Sequence, residues 1–283
     1  MSILIDFHTY EIMENATIHN ASSEATNHPA EHAIAPLESN FAWEANEAEA
    51  QHTLTIDFGE TRECDGFSFI HHEVAISPST GIVIGIHKSS DAINWTAISW
   101  VYNSDGSDVP FDDFTSQLIK LRYFTVGGVL ASHKARYWRF TLLGMESPNF
   151  YAPSDMRISM LWLFRLRQLD RGPSFPINDT EIYPINNLRL PFGKVYRTGH
   201  SINPHTLFTR TWMLSDVEYE VLRTLMRECN GMYRPFIMTD VDGTRRLCRF
   251  ATDEIDEELL DIDLYRITCQ FVELPIVQKD GYH

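Results

Sequence analysis

Apolar residues recur at helical spacing in one stretch of the chain, residues 215–238. Their spacing predicts an amphipathic helix, and the members of this stripe are Val217, Val221, Leu222, Leu225 and Met226. Ser215 is a natural N-cap, and Glu218 three residues later completes a capping box. Asn230 and Gly231 form a stop signal, because Gly adopts the left-handed conformation without strain. The pattern predicts one helix over residues 216–229.

Elsewhere the chain alternates apolar and polar residues, a pattern typical of β-strands. In its first part the predicted strands are 53–58, 67–70, 81–86, 93–98, 135–142 and 158–164. Residues 21–52 lack periodicity and are rich in Ala, Asn, Glu and His, which indicates long loops of the kind that form binding surfaces. Short strands joined by turns, with no helical segment between them, favour an antiparallel sandwich or jelly roll.

The composition changes after Phe164. Residues 165–173 are charged and end in turn residues, which indicates a domain boundary. Beyond it the pattern runs strand, helix, strand and strand. We therefore predict two domains, residues 1–167 and 168–283. The predicted fold class is mainly all-β, with an N-terminal jelly-roll β-sandwich and a C-terminal β-sandwich domain that carries the one α-helix.

Composition agrees with a folded chain of two domains. The 283 residues are 43% hydrophobic and 12% aromatic, which is typical of globular proteins. The four cysteines show no metal-binding spacing, so buried, reduced thiols are expected. The first basic residue is Arg62, and no apolar run approaches the roughly 20 residues that span a bilayer. We therefore predict neither a cleaved secretion signal nor membrane insertion.

Charge excludes one class of partner. The formal net charge is −16, whereas proteins that bind nucleic acid by counterion release need clustered Lys and Arg. We therefore predict no direct binding to nucleic acid. The acidity favours solubility, and on a channel wall it would repel DNA.

Four segments, in order along the chain, resemble the discoidin or coagulation-factor C-type module, a galactose-binding-like β-sandwich. They are HPAEHAIAPLESNFAWEA, QHTLTIDFGE, SSDAINWTAI and ARYWRFTLL. The family has a PA.NA.D loop before a Trp, an LDLG strand, an S.DG..W hairpin and an ARY.R strand. The chain departs from it at Ala35, where an Asp is frequent, and lacks the cysteine pair of secreted members. The resemblance implies a galactose-binding-like jelly roll in which Trp95 and Trp138 are core residues.

A second resemblance covers the end of the chain. The segments RTWMLSDVEYEVLRTL, GMYRPFIMTD and YRITCQFVELP follow one another as in the distal tail and minor tail proteins of long-tailed bacteriophages. The resemblance implies a structural subunit of a phage tail tip or baseplate, located in the virion tail and assembled in the bacterial host cytoplasm. It also implies a ring-like homo-oligomer, a hexamer or a trimer, with the tail tube, the hub and the fibre as further partners.

No sequence pattern predicts a metal, a cofactor or a catalytic centre. His71 and His72 are adjacent on a predicted strand and point to opposite faces, so they chelate poorly. The acidic run 253–258 lacks the spacing and the central Gly of a calcium loop, which favours a solvated turn or a subunit contact. No GxSxG, P-loop or GxGxxG is present. We predict no metal site, no cofactor and no enzymatic activity.

Aromatic residues are the best candidates for a ligand surface. Four aromatic residues, Trp43, Trp95, Trp100 and Tyr102, lie in or beside the predicted loops and could form a platform for a sugar ring. The other role open to Trp95 is that of a core residue, as the discoidin resemblance implies. Trp43 is preferred as a ligand residue because its segment is the richest in loops. The candidate ligand or partner surface comprises Trp43, Asn46, Trp100, Tyr102 and Asp105.

Three functions follow from these patterns. The first is a structural virion component that acts through assembly with other tail proteins. The alternative is a carbohydrate-binding protein that uses loops 21–52 and 100–115 to recognise a glycan on the host surface. The third is a glycan-processing enzyme, which requires two facing carboxylates. The first two are compatible with each other.

Overall fold

The structure is a computed structural model that describes residues 5–22, 24, 29–34, 43–44, 51–73, 82–101, 119–144, 157–182, 185–189, 195–199, 205–240 and 243–274. The chain divides into two compact units. The first, the N-terminal module, runs from Tyr10 to Leu166. The second, the C-terminal module, combines strand β1 (Ile5–Thr9) with the described residues from Arg167 onward.

This division differs from the predicted domains 1–167 and 168–283 at the N-terminal end. Strand β1 pairs antiparallel with strand β16 (Phe236–Thr239), with Phe7 opposite Met238. The first strand of the chain therefore belongs to the C-terminal module. Sequence alternation shows that a segment is a strand, but not which distant strand becomes its partner.

The described residues of the N-terminal module form two short 3-10 turns, Glu11–Met13 and Ala30–Ala33, and ten strands. The strands are β2 (Thr17–Ala21), β3 (Trp43–Glu44), β4 (Gln51–Cys64), β5 (Gly66–Glu73), β6 (Ile82–Ser89), β7 (Thr96–Val101), β8 (Ile119–Val126), β9 (Val129–Leu130), β10 (His133–Gly144) and β11 (Arg157–Leu169).

These strands form two antiparallel sheets. The first has the order β2–β4–β10–β6–β7. The second has the order β3–β11–β5–β8, and β8 also pairs with β7 and β9. Strand β7 connects the sheets at one corner, because Ile98 pairs with Ile86 of β6 and Ser99 pairs with Thr125 of β8. Two sheets joined in this way enclose one core, as in a β-sandwich.

Aromatic side chains fill the space between the two sheets. Trp138 of the first sheet stacks on Phe124 of the second, with ring centroids 5.2 Å apart. Phe67 contacts Phe124 at 6.0 Å and Phe140 at 5.5 Å. All four rings are fully buried, so they contribute a large apolar area and fixed ring geometry to the core.

The C-terminal module is built mainly from one antiparallel sheet. Its strands after β1 are β12 (Ser174–Ile182), β13 (Ile185–Arg189), β14 (Val195–Gly199), β15 (His205–Ser215), β16, β17 (Arg245–Phe250), β18 (Asp256–Asp261) and β19 (Leu264–Glu273). The sheet has the order β12–β15–β19–β17–β16–β1, and β18 also pairs with β19. Strands β13 and β14 form a separate ribbon. The predicted, mainly all-β fold class is confirmed.

The predicted helix is confirmed as α1 (Asp216–Glu228). Ser215 Oγ accepts a hydrogen bond from the Glu218 backbone N–H at 3.4 Å, and the Glu218 carboxylate accepts one from the Ser215 backbone N–H at 2.9 Å. This is the capping box that the sequence predicted. Asn230 and Gly231 both adopt positive φ after the helix, which confirms the stop signal. The buried residues of α1 are Tyr219, Leu222 and Leu225.

The four cysteines are free and buried, which confirms the expectation of reduced thiols. Burial raises the pKa of Cys64 and Cys248 well above 9.0 and that of Cys269 to about 12. Because the thiolate is the reactive form, a raised pKa disfavours reaction of these groups in the folded protein.

Candidate functional site

Trp43, the preferred aromatic of the predicted ligand surface, is completely buried. Its strand β3 pairs with β11 opposite Ile158, and its side chain belongs to the sandwich core. The expectation that Trp43 binds a ligand is therefore corrected, because no part of its ring is left for a sugar. Asn46, Tyr102 and Asp105 lie outside the described residues.

Trp100, the other described member of that surface, stays partly exposed on β7. Its ring meets the buried Phe67 edge-on, with centroids 6.1 Å apart. The guanidinium carbon of Arg122 lies 5.5 Å from the centre of the Trp100 ring. Trp100 is thus held against the core and offers a limited area to a ligand.

The two predicted binding loops, 21–52 and 100–115, lie mostly outside the described residues. The first of them leads into β4, whose Gln51 pairs with Leu143 near the end of β10. The opposite end of β4 is closed by the short turn into β5. Gln51, the first residue of β4, therefore lies at the end of this strand away from the turn.

One face of the first sheet points away from the core. On β10, Trp138 and Phe140 are core residues, so Tyr137 and Arg139, which alternate with them, lie on the outer face. The register places His87 of β6 on one side of Arg139 and Thr55 of β4 on the other. We name this surface the Trp95–Arg139 face, and its members are Trp95, Tyr137, Arg139, His87 and Thr55.

Arg139 and Trp95 are stacked at the centre of this face. The guanidinium carbon of Arg139 lies 3.8 Å from the centre of the Trp95 ring, a favourable cation–π arrangement. Both side chains are partly exposed. Nδ1 of the adjacent His87 is buried and has no hydrogen-bond partner. Within the described part of the chain, no carboxylate lies within ion-pair distance of Arg139.

A second cationic group on the same face is already neutralised. The register of β10 against β4 shifts between Ala135 and Tyr137, so Arg136 sits at a bulge. Arg136 donates to both carboxylate oxygens of Asp57, at 2.8 and 2.9 Å. Its guanidinium carbon lies 4.8 Å from the centre of the Tyr137 ring, which His19 meets edge-on at 5.2 Å.

The turn before β7 determines where Trp95 lies. Asp91 accepts hydrogen bonds from the backbone N–H groups of Asn94 and Ile93, at 2.8 and 2.9 Å, and from Ser89 Oγ at 2.8 Å. These donors, Asn94 first, hold the pKa of Asp91 well below its usual 3.8. The charged carboxylate therefore fixes the turn, and Trp95 follows directly after it.

The Trp95–Arg139 face was not among the sequence-predicted sites. The sequence leaves two roles open for Trp95, a core residue or a member of an aromatic platform, and the structure places it, partly exposed, on the outer face. The alternation in ARYWRFTLL is a signal for the common face of Tyr137 and Arg139. The approach of Trp95 depends on the pairing of β6 with both β10 and β7, which the sequence does not specify.

The acidic run 253–258 is exposed, except for Ile255, as expected for a solvated segment, and every residue of β18 is exposed. Together with the helix residues Tyr219 and Met226, it lines a shallow groove on the C-terminal module. Across the described ranges, no three His, Cys, Asp or Glu side chains are grouped to hold a metal ion. No helix of the described residues is long and apolar enough to cross a membrane.

No protein-family model matches the sequence, and no curated protein matches it. Among solved structures, CpGH89CBM32-5 from Clostridium perfringens, in complex with GalNAc-β-1,3-galactose, is 20% identical to this chain, with a TM-score of 0.39. The match covers 56% of this chain and 99% of that one. The family 32 CBM of NanJ from the same organism, in complex with galactose, is 17% identical, with coverages of 56% and 99% and a TM-score of 0.36.

The C-terminal domain of a chitobiase from Bacteroides fragilis is 15% identical, with coverages of 56% and 98% and a TM-score of 0.39. TM-scores of this size do not establish a common fold. We therefore assign the sandwich from its own strand pairing, and the discoidin-like and tail-protein resemblances stay predictions.

Proposed function

We propose that the N-terminal module binds carbohydrate and that the protein acts in recognition, without catalysis. The observation that carries the proposal is the Trp95–Arg139 face. On it the aromatic rings of Trp95 and Tyr137 are partly exposed beside the polar groups of Arg139 and His87. Binding sites for small molecules combine apolar aromatic surface with a few fixed polar groups. This face offers both on a rigid sheet.

The second sheet of the module offers no comparable surface among its described residues. On β3, β5, β8 and β11 the aromatic side chains are buried on both faces of the sheet, as shown by Phe67 on the core side and by Tyr123 and Trp162 on the other. Trp100, where β7 pairs with β8, is partly exposed. Tyr123 and Phe164 pack edge-on at 5.7 Å. The first sheet is thus the better candidate for a ligand.

The role in a phage tail tip, the ring-like oligomer and the location in the virion rest on the sequence resemblance alone. They are compatible with carbohydrate binding, because a tail protein that recognises a glycan on the host surface would have both properties. We therefore keep the tail-tip role as a prediction beside the proposed function.

Titration of the full-length protein with saccharides tests the proposal. A first panel contains galactose and GalNAc-β-1,3-galactose, together with neutral and acidic monosaccharide glycosides. We expect at least one of them to bind with a Kd of about 1 mM or tighter, measured by calorimetry or by NMR chemical shifts. Failure of every saccharide to bind would overturn the proposal, and release of reducing sugar would overturn its non-catalytic part.

A matched pair of variants locates the site. Trp95→Ala removes the ring on the face, and binding should weaken by roughly tenfold or more. Tyr233→Ala removes an aromatic ring that is 74% exposed on the C-terminal module, and binding should not change. If the two substitutions change the affinity for saccharide equally, the Trp95–Arg139 face is not the binding site.

A further inference from the structure

Among the described residues, no acidic side chain balances the charge of Arg139. In the N-terminal module, Arg62 pairs with Glu60, and Arg136 pairs with Asp57. Arg139 is partly buried, yet none of the described carboxylates lies within ion-pair distance of it. The whole chain carries a net charge of −16, so acidic partners were abundant. A partly buried arginine without an acidic partner is suited to bind an anion from outside the protein.

The stack with Trp95 orients this charge. The Trp95 ring covers one face of the guanidinium at 3.8 Å, while the N–H groups lie in the guanidinium plane and remain at its edge. A planar fork of N–H donors held in this way matches the two oxygens of a carboxylate. Because the arginine side chain is already held in place, it loses less conformational freedom when it pairs with the carboxylate.

His87 supplies a second unmet polar group at the same place. It lies directly beside Arg139 in the register of β6 and β10, and its Nδ1 is buried without a hydrogen-bond partner. Buried polar atoms in native structures are nearly always satisfied, by protein or by ordered water. The His87 side chain as a whole is partly exposed, so a ligand on Arg139 would lie beside the His87 ring.

The surface beside these groups includes a residue without a side chain, Gly85. Gly85 and Thr141 pair in the next row of the sheet, and a Cβ at Gly85 would lie 3.4 Å from Thr141 Cβ and 3.6 Å from the His87 ring. Gly85 therefore adds no side chain between His87 and a ligand on this face. Tyr137 lies on the other side of Arg139 along β10.

We infer that the Trp95–Arg139 face recognises a carboxylate-bearing saccharide, such as a hexuronic acid, with the carboxylate on Arg139 and the sugar ring over the neighbouring surface. This inference rests on the proposed carbohydrate-binding function and names the ligand class of that site. It also explains why one sheet face of an acidic protein retains an unneutralised arginine.

The test compares two ligands that differ only in the carboxylate. Methyl β-D-glucuronide and methyl β-D-glucoside are titrated into the full-length protein at low ionic strength. We expect the glucuronide to bind roughly tenfold more tightly, as a charge-assisted hydrogen-bond pair provides. Raising the ionic strength should weaken the binding of the glucuronide and leave that of the glucoside unchanged.

Variants assign the preference to Arg139. Arg139→Gln should abolish the difference between the two ligands, and Arg139→Lys should retain part of it because the charge remains while the fork is lost. Arg223→Gln, at an exposed arginine of α1, is the control and should leave the preference unchanged. Thermal unfolding of each variant checks that it is folded.

The outcomes separate the inference from the proposed function. Equal affinities for the two ligands, or a preference that survives in Arg139→Gln, would overturn the carboxylate assignment. If the glucoside and other neutral saccharides bind and the glucuronide binds no more tightly than they do, the proposed carbohydrate binding stands and only this inference fails. If no saccharide binds at all, both fail.

Discussion

Arg136 donates two hydrogen bonds to the carboxylate of Asp57, at 2.8 Å from Nε and 2.9 Å from Nη2. The pair lies where β10 shifts register against β4, so it joins the two central strands of the first sheet at their bulge. It also connects two of the sequence segments on which the discoidin resemblance depends, QHTLTIDFGE and ARYWRFTLL. The guanidinium carbon of Arg136 also lies 4.8 Å from the centre of the neighbouring Tyr137 ring.

Asp57→Asn is expected to destabilise the protein at neutral pH. The hydrogen bonds from Arg136 hold the pKa of Asp57 below its usual 3.8. A group with a lowered pKa in the folded state stabilises that state above its unfolded pKa, and this contribution is lost as the pH falls through the folded pKa. Urea unfolding at several pH values should show a gap between wild type and variant at pH 7 that closes below about pH 4. A gap independent of pH would contradict this account.

Gly66→Ala is expected to be among the most damaging single-methyl additions. A Cβ at Gly66 would overlap the carbonyl oxygen of Arg122 and lie 2.5 Å from the ring of Phe164, and both belong to paired strands that cannot easily move. Inserting atoms into a packed site costs about 1–3 kcal/mol, and we expect the upper end of this range. Chemical denaturation measures the change in unfolding free energy.

Gly59→Ala is the matched control for that substitution. Gly59 has a φ of +73°, and no heavy atom lies within 4 Å of the position that its added methyl group would take. Only backbone strain therefore opposes the change, at about 1–2 kcal/mol, and the Gly66 variant should lose more stability than the Gly59 variant. The reverse order would show that backbone strain, and not the overlap with Arg122, dominates at these glycines.

Local chemistry was predictable from the sequence, and long-range pairing was not. The capping box of Ser215 and the stop at Gly231 depend on neighbours within a few residues, so the helix could be predicted. Trp43 was expected at the surface because its segment lacks periodicity. It is buried because β3 pairs with β11, a contact between segments far apart in the sequence.

The candidate site shows the same limit. Alternation in β10 indicates that Tyr137 and Arg139 share a face, and this part could be predicted. Trp95 lies next to Arg139 because β6 pairs with β10 on one side and with β7 on the other. That strand order is a property of the whole fold, so the stack of Trp95 on Arg139 had no signal in the sequence.

Ser215→Ala tests the start of α1. The substitution leaves the Glu218 backbone N–H without its side-chain acceptor and should lower the free energy of unfolding by about 1 kcal/mol. Ser215→Asp retains an acceptor at the N-cap and should cost much less. Equal losses in the two variants would show that the hydroxyl acts in some way other than capping.

His133 gives the N-terminal module a pH dependence. Lys88 Nζ lies 3.1 Å from His133 Nδ1, so the ammonium donates to a neutral imidazole. Burial, and then the charge of Lys88, lower the pKa of His133 below its usual 6.5. The imidazole therefore remains neutral in the folded protein at pH values where the unfolded chain already binds a proton.

The sign of the effect follows from proton linkage. The contribution of neutral His133 is fully present above pH 6.5, its unfolded pKa, and declines as the pH falls below that value, because the unfolded state takes up the proton first. Stability measured from pH 8 to pH 5 should therefore fall more steeply in wild type than in His133→Gln, since the other histidines contribute equally to both. An NMR titration gives the direct measurement, and a midpoint for His133 at or above 6.5 would contradict the prediction.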